Sequence, residues 1–415
     1  MSATRKLAAL VVVLFSLGCA RGASEARLLA RALPAPAAAG SGEPNLAVAP
    51  DDGRVLLSWI EPWGGDGHAL RFASRTRGGA WSEPGTIAKG RGWFVNWADF
   101  PSLAALPDGT LFAHWLAKSG PGAFAYDVHL SASRDAGKSW GPAVVPHRDG
   151  TKTEHGFVSM IPWDAQTMGL VWLDGRKTAD AAGDSHDGHG QAEMSLVHST
   201  LDGQGRLGPE TVLDPRVCDC CQTDSALAEG AIVVVYRDRS NAEVRDISVV
   251  RFGGGRWSEP RTVARDGWEI NGCPVNGPAI AAAGRQVAVA WFTAAIEKSR
   301  VKVSFSSDSA ETFGAPIVVD DGRPLGRVDV VLVPRRGALV SWLEQTQRGV
   351  ELRVRLVSQN GTRGAPLTVA DSSAARSSGF PRMVESDGEA VLAWRDAATP
   401  PKLRTAVLTW TDSSR

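Results

Sequence analysis

In this 415-residue chain, 45 Lys and Arg balance 45 Asp and Glu, so there is no net field to draw it toward nucleic acid or an anionic membrane surface. A composition of 43% apolar and 22% charged residues is that of an ordinary globular protein, not a disordered one, and the length is ample for a buried core.

In chain order, the first feature is an export signal. Arg5 and Lys6 precede the apolar run "LAALVVVLFSLG", and Cys19 follows at once. The run is too short to span a bilayer as an anchor. Gly18 before Cys19 resembles a bacterial lipobox, although Ser16 stands where that motif usually has Leu. Two outcomes stay open, lipidation of Cys19 or plain signal cleavage. Either places the mature protein outside the cytoplasm, in the periplasm or at the cell surface, with membrane contact only through a lipid. Residues 1–19 therefore read as a signal segment and 26–415 as one domain.

That domain is repetitive. "PNLAVAPDDGRVLLSW", "PSLAALPDGTLFAHW", "VSMIPWDAQTMGLVW", "DSALAEGAIVVVY", "PAIAAAGRQVAVAW", "VDVVLVPRRGALVSW" and "PRMVESDGEAVLAW" each give a strand, a turn and a second strand ending in an aromatic residue. These aromatics, Trp59, Trp115, Trp172, Tyr236, Trp291, Trp342 and Trp394, stand 51 to 64 residues apart. A third strand ("YDVHLSAS", "RDISVVRF", "RVKVSFSS", "VELRVRLV") and an outer fourth ("GPAVVP", "PRTVA", "APIVVD", "APLTVA") follow. Four strands per repeat make a blade, so the fold class is all-β, a β-propeller of six or seven blades, seven by repeat count. The last repeat ends after its third strand, and "ARLLARAL" near the N-terminus is positioned to supply the fourth, which would close the ring and remove an open edge.

The turns between third and fourth strands carry a signature. "SRDAGKSW" (Ser133 to Trp140) matches the Asp-box, S-x-D-x-G-x-x-W, with degenerate copies at Ser306 to Phe313 and Ser74 to Trp81. On these residues the chain resembles the sialidase-like, Asp-box propeller superfamily over nearly all of its mature length. The resemblance implies that these turns are structural: a short polar side chain caps the turn amides and glycine supplies a positive φ. Sialidase propellers have six blades, and this chain shows seven repeats.

Antiparallel strands place the loops from strand four to the next strand one, and from strand two to strand three, on one face, opposite the Asp-box turns. The unusual stretches all fall on that face: "GRGWFVNWADF", "HRDGTKTEHG", "DPRVCDCCQTD", "DGWEINGCPVNG", "YRDRSNAEVRD" and "LDGRKTADAAGDSHDGHGQAE". Two residues beyond the strand-two aromatic stand Glu61, Asp174, Asp238, Glu344 and Asp396, which on this register are expected to ring the central channel. Arg176, Arg237, Arg239, Arg245 and Arg395 accompany them. One reading is a solvated rim of paired charges. The other is a polar-ligand pocket in which the arginines bind an acidic group and Asp238, Asp174 and Glu344 supply a catalytic acid and base.

Sialidases hold a substrate carboxylate with three arginines and attack with a Tyr activated by a Glu, with an Asp as acid and base. The family's early Arg-Ile-Pro motif is missing here. Of the two tyrosines, Tyr236 occupies a core aromatic position, and Tyr126 begins a third strand with no Glu partner legible in the sequence. The standard sialidase mechanism is therefore not expected, while a two-carboxylate glycosidase chemistry stays open.

Apart from Cys19, the cysteines are Cys218, Cys220, Cys221 and Cys273, the last in the equivalent loop of the next blade. An even number in an exported chain points to disulfides. Close thiolates equally suit Cu(I) or Zn²⁺, with His186 and His189 as further ligands from the neighbouring blade's long loop, and a free redox-active thiol is the third reading. The function expected is an exported propeller, monomeric, that recognises a carbohydrate or another small polar ligand, with soft-metal binding and non-catalytic scaffolding as the alternatives.

Overall fold

The computed structural model describes residues 27–181 and 193–411. The seven repeats are seven blades, each an antiparallel sheet in sequential strand order, so the chain is a seven-bladed β-propeller. The innermost strands, among them His155–Pro162, Asp224–Ala228 and Pro324–Val333, face the axis. Arg27–Leu33 pairs with Leu403–Thr411, Arg27 opposite Thr411, and is the outer strand of the seventh blade. Among the described residues no helix is long and apolar enough to cross a membrane. Cys19 and the signal segment lie outside the described residues, as do His186 and His189.

Second strands carry the core. Every residue of Ala231–Arg237 is buried, because this strand has a neighbour on each side within its sheet and a blade against each face. That explains its unbroken apolar run in place of polar alternation. Trp59, Trp172, Trp291 and Trp342 are fully buried at matching positions. Each aromatic contributes roughly 4–6 kcal/mol of transfer free energy on burial.

Two Asp-box turns are built alike. Ser133 Oγ donates to Asp135 at 2.8 Å and accepts from the Gly137 amide, while Asp135 accepts from the Ser139 amide. Ser306, Asp308, Ala310 and Thr312 repeat the same three contacts at the other turn. Gly137 (φ 84°) takes the left-handed backbone that glycine accepts without strain. Trp140 meets Phe72 of the preceding blade edge-on, with ring centroids 6.1 Å apart. The third copy has no carboxylate; its Trp81 reaches instead to Thr405 of the seventh blade.

Candidate functional site

A cavity of about 1050 Å³ runs along the axis, and the innermost strands line it. Three of its acidic side chains, Asp99, Asp224 and Asp329, tie blades together. Asp99 accepts the Phe157 amide (2.8 Å), Asp224 that of Ile280 (3.0 Å) and Asp329 that of Met383 (2.7 Å), each linking one blade to the next. Burial raises Asp99 to about 7 against the hydrogen bonds of Tyr126 and Phe157, and raises Asp224 to about 6. Arg382 lies 3.3 Å from Asp329 and is the cation that Asp329 and Asp224 face.

The carboxylates expected around this channel are elsewhere, and this is a correction to the sequence reading. With a period of two, a residue two beyond the strand-two aromatic shares its side of the strand, and strand two does not line the axis. The acid therefore receives the indole. Trp59 donates to Glu61 at 3.2 Å, Trp172 to Asp174 at 2.9 Å and Trp342 to Glu344 at 2.5 Å. Asp238 accepts instead from the Arg239 amide and the Ser248 hydroxyl, and Asp396 from Lys402 and Arg404. Asp174, Asp238 and Glu344 sit on three different blades and do not converge.

The arginines are likewise engaged. Arg237 gives its donors to the main-chain oxygens of Asn276, Arg245 and Phe292, and lies over Trp268 at 4.9 Å. Arg239 pairs with Glu243, Arg176 with Asp174 and Glu210, and Arg395 donates to the Ser377 carbonyl. Tyr236 is fully buried with its hydroxyl on Asp214 at 2.6 Å. Tyr126 does have a Glu partner, a second correction: it donates to Glu154 (2.8 Å) and to Asp99 (2.7 Å). It is nevertheless fully buried beneath Phe94, and burial and these acids hold its hydroxyl far above an ordinary phenol, the opposite of an activated nucleophile.

The cysteines do converge. The chain turns at Asp219 and Cys220, and this wraps adjacent residues around one point. Cys218 Sγ lies 3.8 Å from Cys220 Sγ and 3.5 Å from Cys221 Sγ, and Cys273 approaches Asp219 at 4.0 Å. All four are free thiols, and these separations exceed the ~2.05 Å of a disulfide. Arg245 donates to Cys218 Sγ at 3.3 Å and pairs with Asp219 at 3.0 Å. Burial pushes the Cys218 thiol up. Hydrogen bonds from Cys220 and Cys221, with the charges of Arg245 and Arg237, outweigh that and hold it well below an ordinary thiol. Cys220 is raised by its hydrogen bonds with the other three cysteines, and Cys221 chiefly by burial. Cys218 is 0% exposed and Cys220 8%.

A second cluster involves side chains that the sequence reading did not single out. Asp127, His147 and His155 meet between the second and third blades, beside Asp149, Asp174 and Arg176. The loop "HRDGTKTEHG" carries both histidines, and the spacing of two His and an Asp within nine positions was the available signal.

No protein-family profile matches the chain. No curated protein matches its sequence either. Among solved structures, a protein of unknown function from Dyadobacter fermentans DSM 18053 is similar over 93% of this chain and 100% of its own, at 13% identity and a TM-score of 0.52. A PL25 ulvan lyase bound to -[GlcA(1-4)Rha3S]- is similar over 77% of this chain and 79% of its own, at 13% identity and a TM-score of 0.47. The NanB sialidase of Streptococcus pneumoniae is similar over 94% and 95%, at 10% identity and a TM-score of 0.46. At these identities the first likeness shows the fold alone, and the two with TM-scores under 0.5 carry no argument.

Proposed function

We propose that this propeller is an exported soft-metal protein that holds Cu(I) or Zn²⁺ on the thiolates of Cys218, Cys220, Cys221 and Cys273. The observation that carries the reading is the spacing of the sulfurs. Ligands ~2.3 Å from a tetrahedral ion stand about 3.8 Å apart, and the Cys218 contacts measure 3.8 and 3.5 Å. Electrostatics support the same assignment. An ion on three or four thiolates leaves excess negative charge in a buried site, and Arg245 and Arg237 stand next to the sulfurs to offset it. Thiolate ligands select d¹⁰ ions of this softness over Mg²⁺ or Ca²⁺. The test is elemental analysis of full-length protein purified without chelator. About one Cu or Zn per chain is expected, lost in Cys220→Ser; two disulfides by mass spectrometry with no metal would sink the proposal.

A second reading, recognition of a carbohydrate at the channel mouth, has its own support. The cavity is large enough for a sugar, and Arg382 lies over Phe100 at 5.5 Å, pairing a cation with an aromatic face at its wall. Asp99, Asp224 and Asp329 are occupied as blade ties, and this reading is therefore of binding and not of hydrolysis. Arrays of acidic glycans should give saturable binding that weakens in Arg382→Gln and shows no turnover; no bound glycan at all would remove it.

A further inference from the structure

The four sulfurs fall into two overlapping groups. Cys218, Cys220 and Cys221 meet within 4.8 Å of one another, and Cys220, Cys273 and a carboxylate oxygen of Asp219 do the same. Cys220 belongs to both groups and joins them. The groups differ in access: Cys218 and Cys221 are sealed off at 0% and 2% exposure, whereas Cys273 is only partly buried. A small solute that reaches this centre from solvent therefore meets Cys273 first, with Cys220 behind it.

Neither of these two residues is held in a β-ladder. Cys220 stands in the turn after Thr211–Val217, and Cys273 in the irregular stretch between Arg261–Ala264 and Ala279–Ala283. Loop backbone lets sulfurs that lie within 4.8 Å move to a bond of ~2.05 Å, a shift that paired strands would resist. The adjacent pair Cys220 and Cys221 is poorly placed for the same bond, because consecutive Cα atoms are ~3.8 Å apart and a disulfide spans ~4.4–6.8 Å. Cys273 also donates to Asp219 Oδ1 at 4.0 Å, so an acceptor for its proton is in place.

We propose that Cys273 is a peroxide-reactive modification site with Cys220 as its resolving partner, so that oxidation closes a Cys220–Cys273 disulfide and expels the metal. The consequence for the metal rests on the thiolate reading above. The Cys273 thiolate attacks one oxygen of hydrogen peroxide: an S–O bond forms, the O–O bond breaks, and hydroxide leaves and takes up a proton as water. The Cys220 thiolate then attacks the Cys273 sulfenic sulfur; the S–S bond forms, the S–O bond breaks, and a second hydroxide leaves as water. Two electrons pass from the two sulfurs to peroxide, and two protons from solvent complete the balance. A disulfide sulfur no longer carries the thiolate charge that ligates a soft ion, so the metal keeps only Cys218 and Cys221. The crosslink at the same time joins the loops that enter the fourth and fifth blades.

The test is peroxide treatment of reduced full-length protein loaded with Zn²⁺, an ion with no redox chemistry of its own, so that every electron comes from sulfur. About one equivalent of Zn²⁺ should pass to a chromophoric chelator, and peptide mapping without reductant should show Cys220 linked to Cys273. A thiol reductant should restore binding. In Cys273→Ser the linked peptide is lost, and peroxide-dependent release should slow by roughly tenfold. Zn²⁺ retained through excess peroxide, release as fast from Cys273→Ser as from the parent, or a crosslink that leaves Cys273 out overturns the proposal. The crosslink is also read on metal-free protein. A chain that binds no Zn²⁺ but forms the Cys220–Cys273 link fails the thiolate reading and upholds this reactive pair, whereas a chain that binds Zn²⁺ and forms no link fails this inference alone.

Discussion

Arg245 places a guanidinium nitrogen 3.3 Å from Cys218 Sγ while pairing with Asp219, so a residue whose charge favours the Cys218 thiolate is itself anchored to the same turn. Replacing it tests whether that charge tunes a metal centre. Arg245→Gln should lower Cu(I) or Zn²⁺ affinity by ~10–100-fold in competition with a chromophoric chelator, with the stoichiometry unchanged. Unchanged affinity would show that the guanidinium serves the fold alone.

Glu344 accepts both the Trp342 indole and the Arg323 amide. Glu344→Ala strands two donors in the interior and should cost roughly 2–6 kcal/mol of unfolding free energy. Glu344→Gln keeps one carbonyl acceptor and should cost less than half as much. Denaturant titration reads both; equal effects would mean the contact is one of size and not of hydrogen bonding.

The axial tie of Asp329 joins the sixth blade to the seventh through the Met383 amide, and its other oxygen accepts from Val330. Asp329→Ala should destabilise by about 2–4 kcal/mol. Hydrogen exchange at the Met383 amide should accelerate more than at amides within the blade centres. Uniform acceleration across the ring would argue against a local tie.

Buried histidines set an acid limit. His114 is pushed down to about 3 by burial, so the folded chain refuses a proton that the unfolded chain takes up below its ordinary value near 6.5. Its contribution is whole above about pH 6.5 and is lost as pH falls toward 3, at up to ~1.4 kcal/mol per pH unit. Asp99, raised to about 7, has the opposite sign: its folded form holds a proton between about pH 4 and 7, so its contribution declines as pH rises through that window. His114→Gln should therefore flatten the loss of stability between pH 6.5 and 4.5 by up to roughly 2–3 kcal/mol. The same slope in both proteins would exclude His114 as a source.

What the sequence made legible was what repeats. The strand–turn–strand period, with Trp59, Trp172, Trp291 and Trp342 as landmarks, is a local pattern written seven times, and blades stack only on their neighbours. The shared loop face of Cys218 and Cys273 followed from strand parity, since each turn reverses direction. The roles of Asp174, Asp238 and Glu344 were not legible in that way. Their position relative to an aromatic was visible, but whether that side of the strand met the axis or an indole depended on which strand of the blade lay innermost.

Sequence alone thus determined the propeller and the address of the cysteines, because local periodicity and apolar burial suffice to specify a ring of similar sheets, while the choice of seven blades over six was decided by the structure. Tertiary structure alone decided which polar groups meet. Asp127 comes from a third strand of one blade, His147 from the loop that follows and His155 from the first position of the next blade's innermost strand, and only the packing of one blade on the next brings them together. Contacts across blades carry no period, so they leave no pattern in the chain to read.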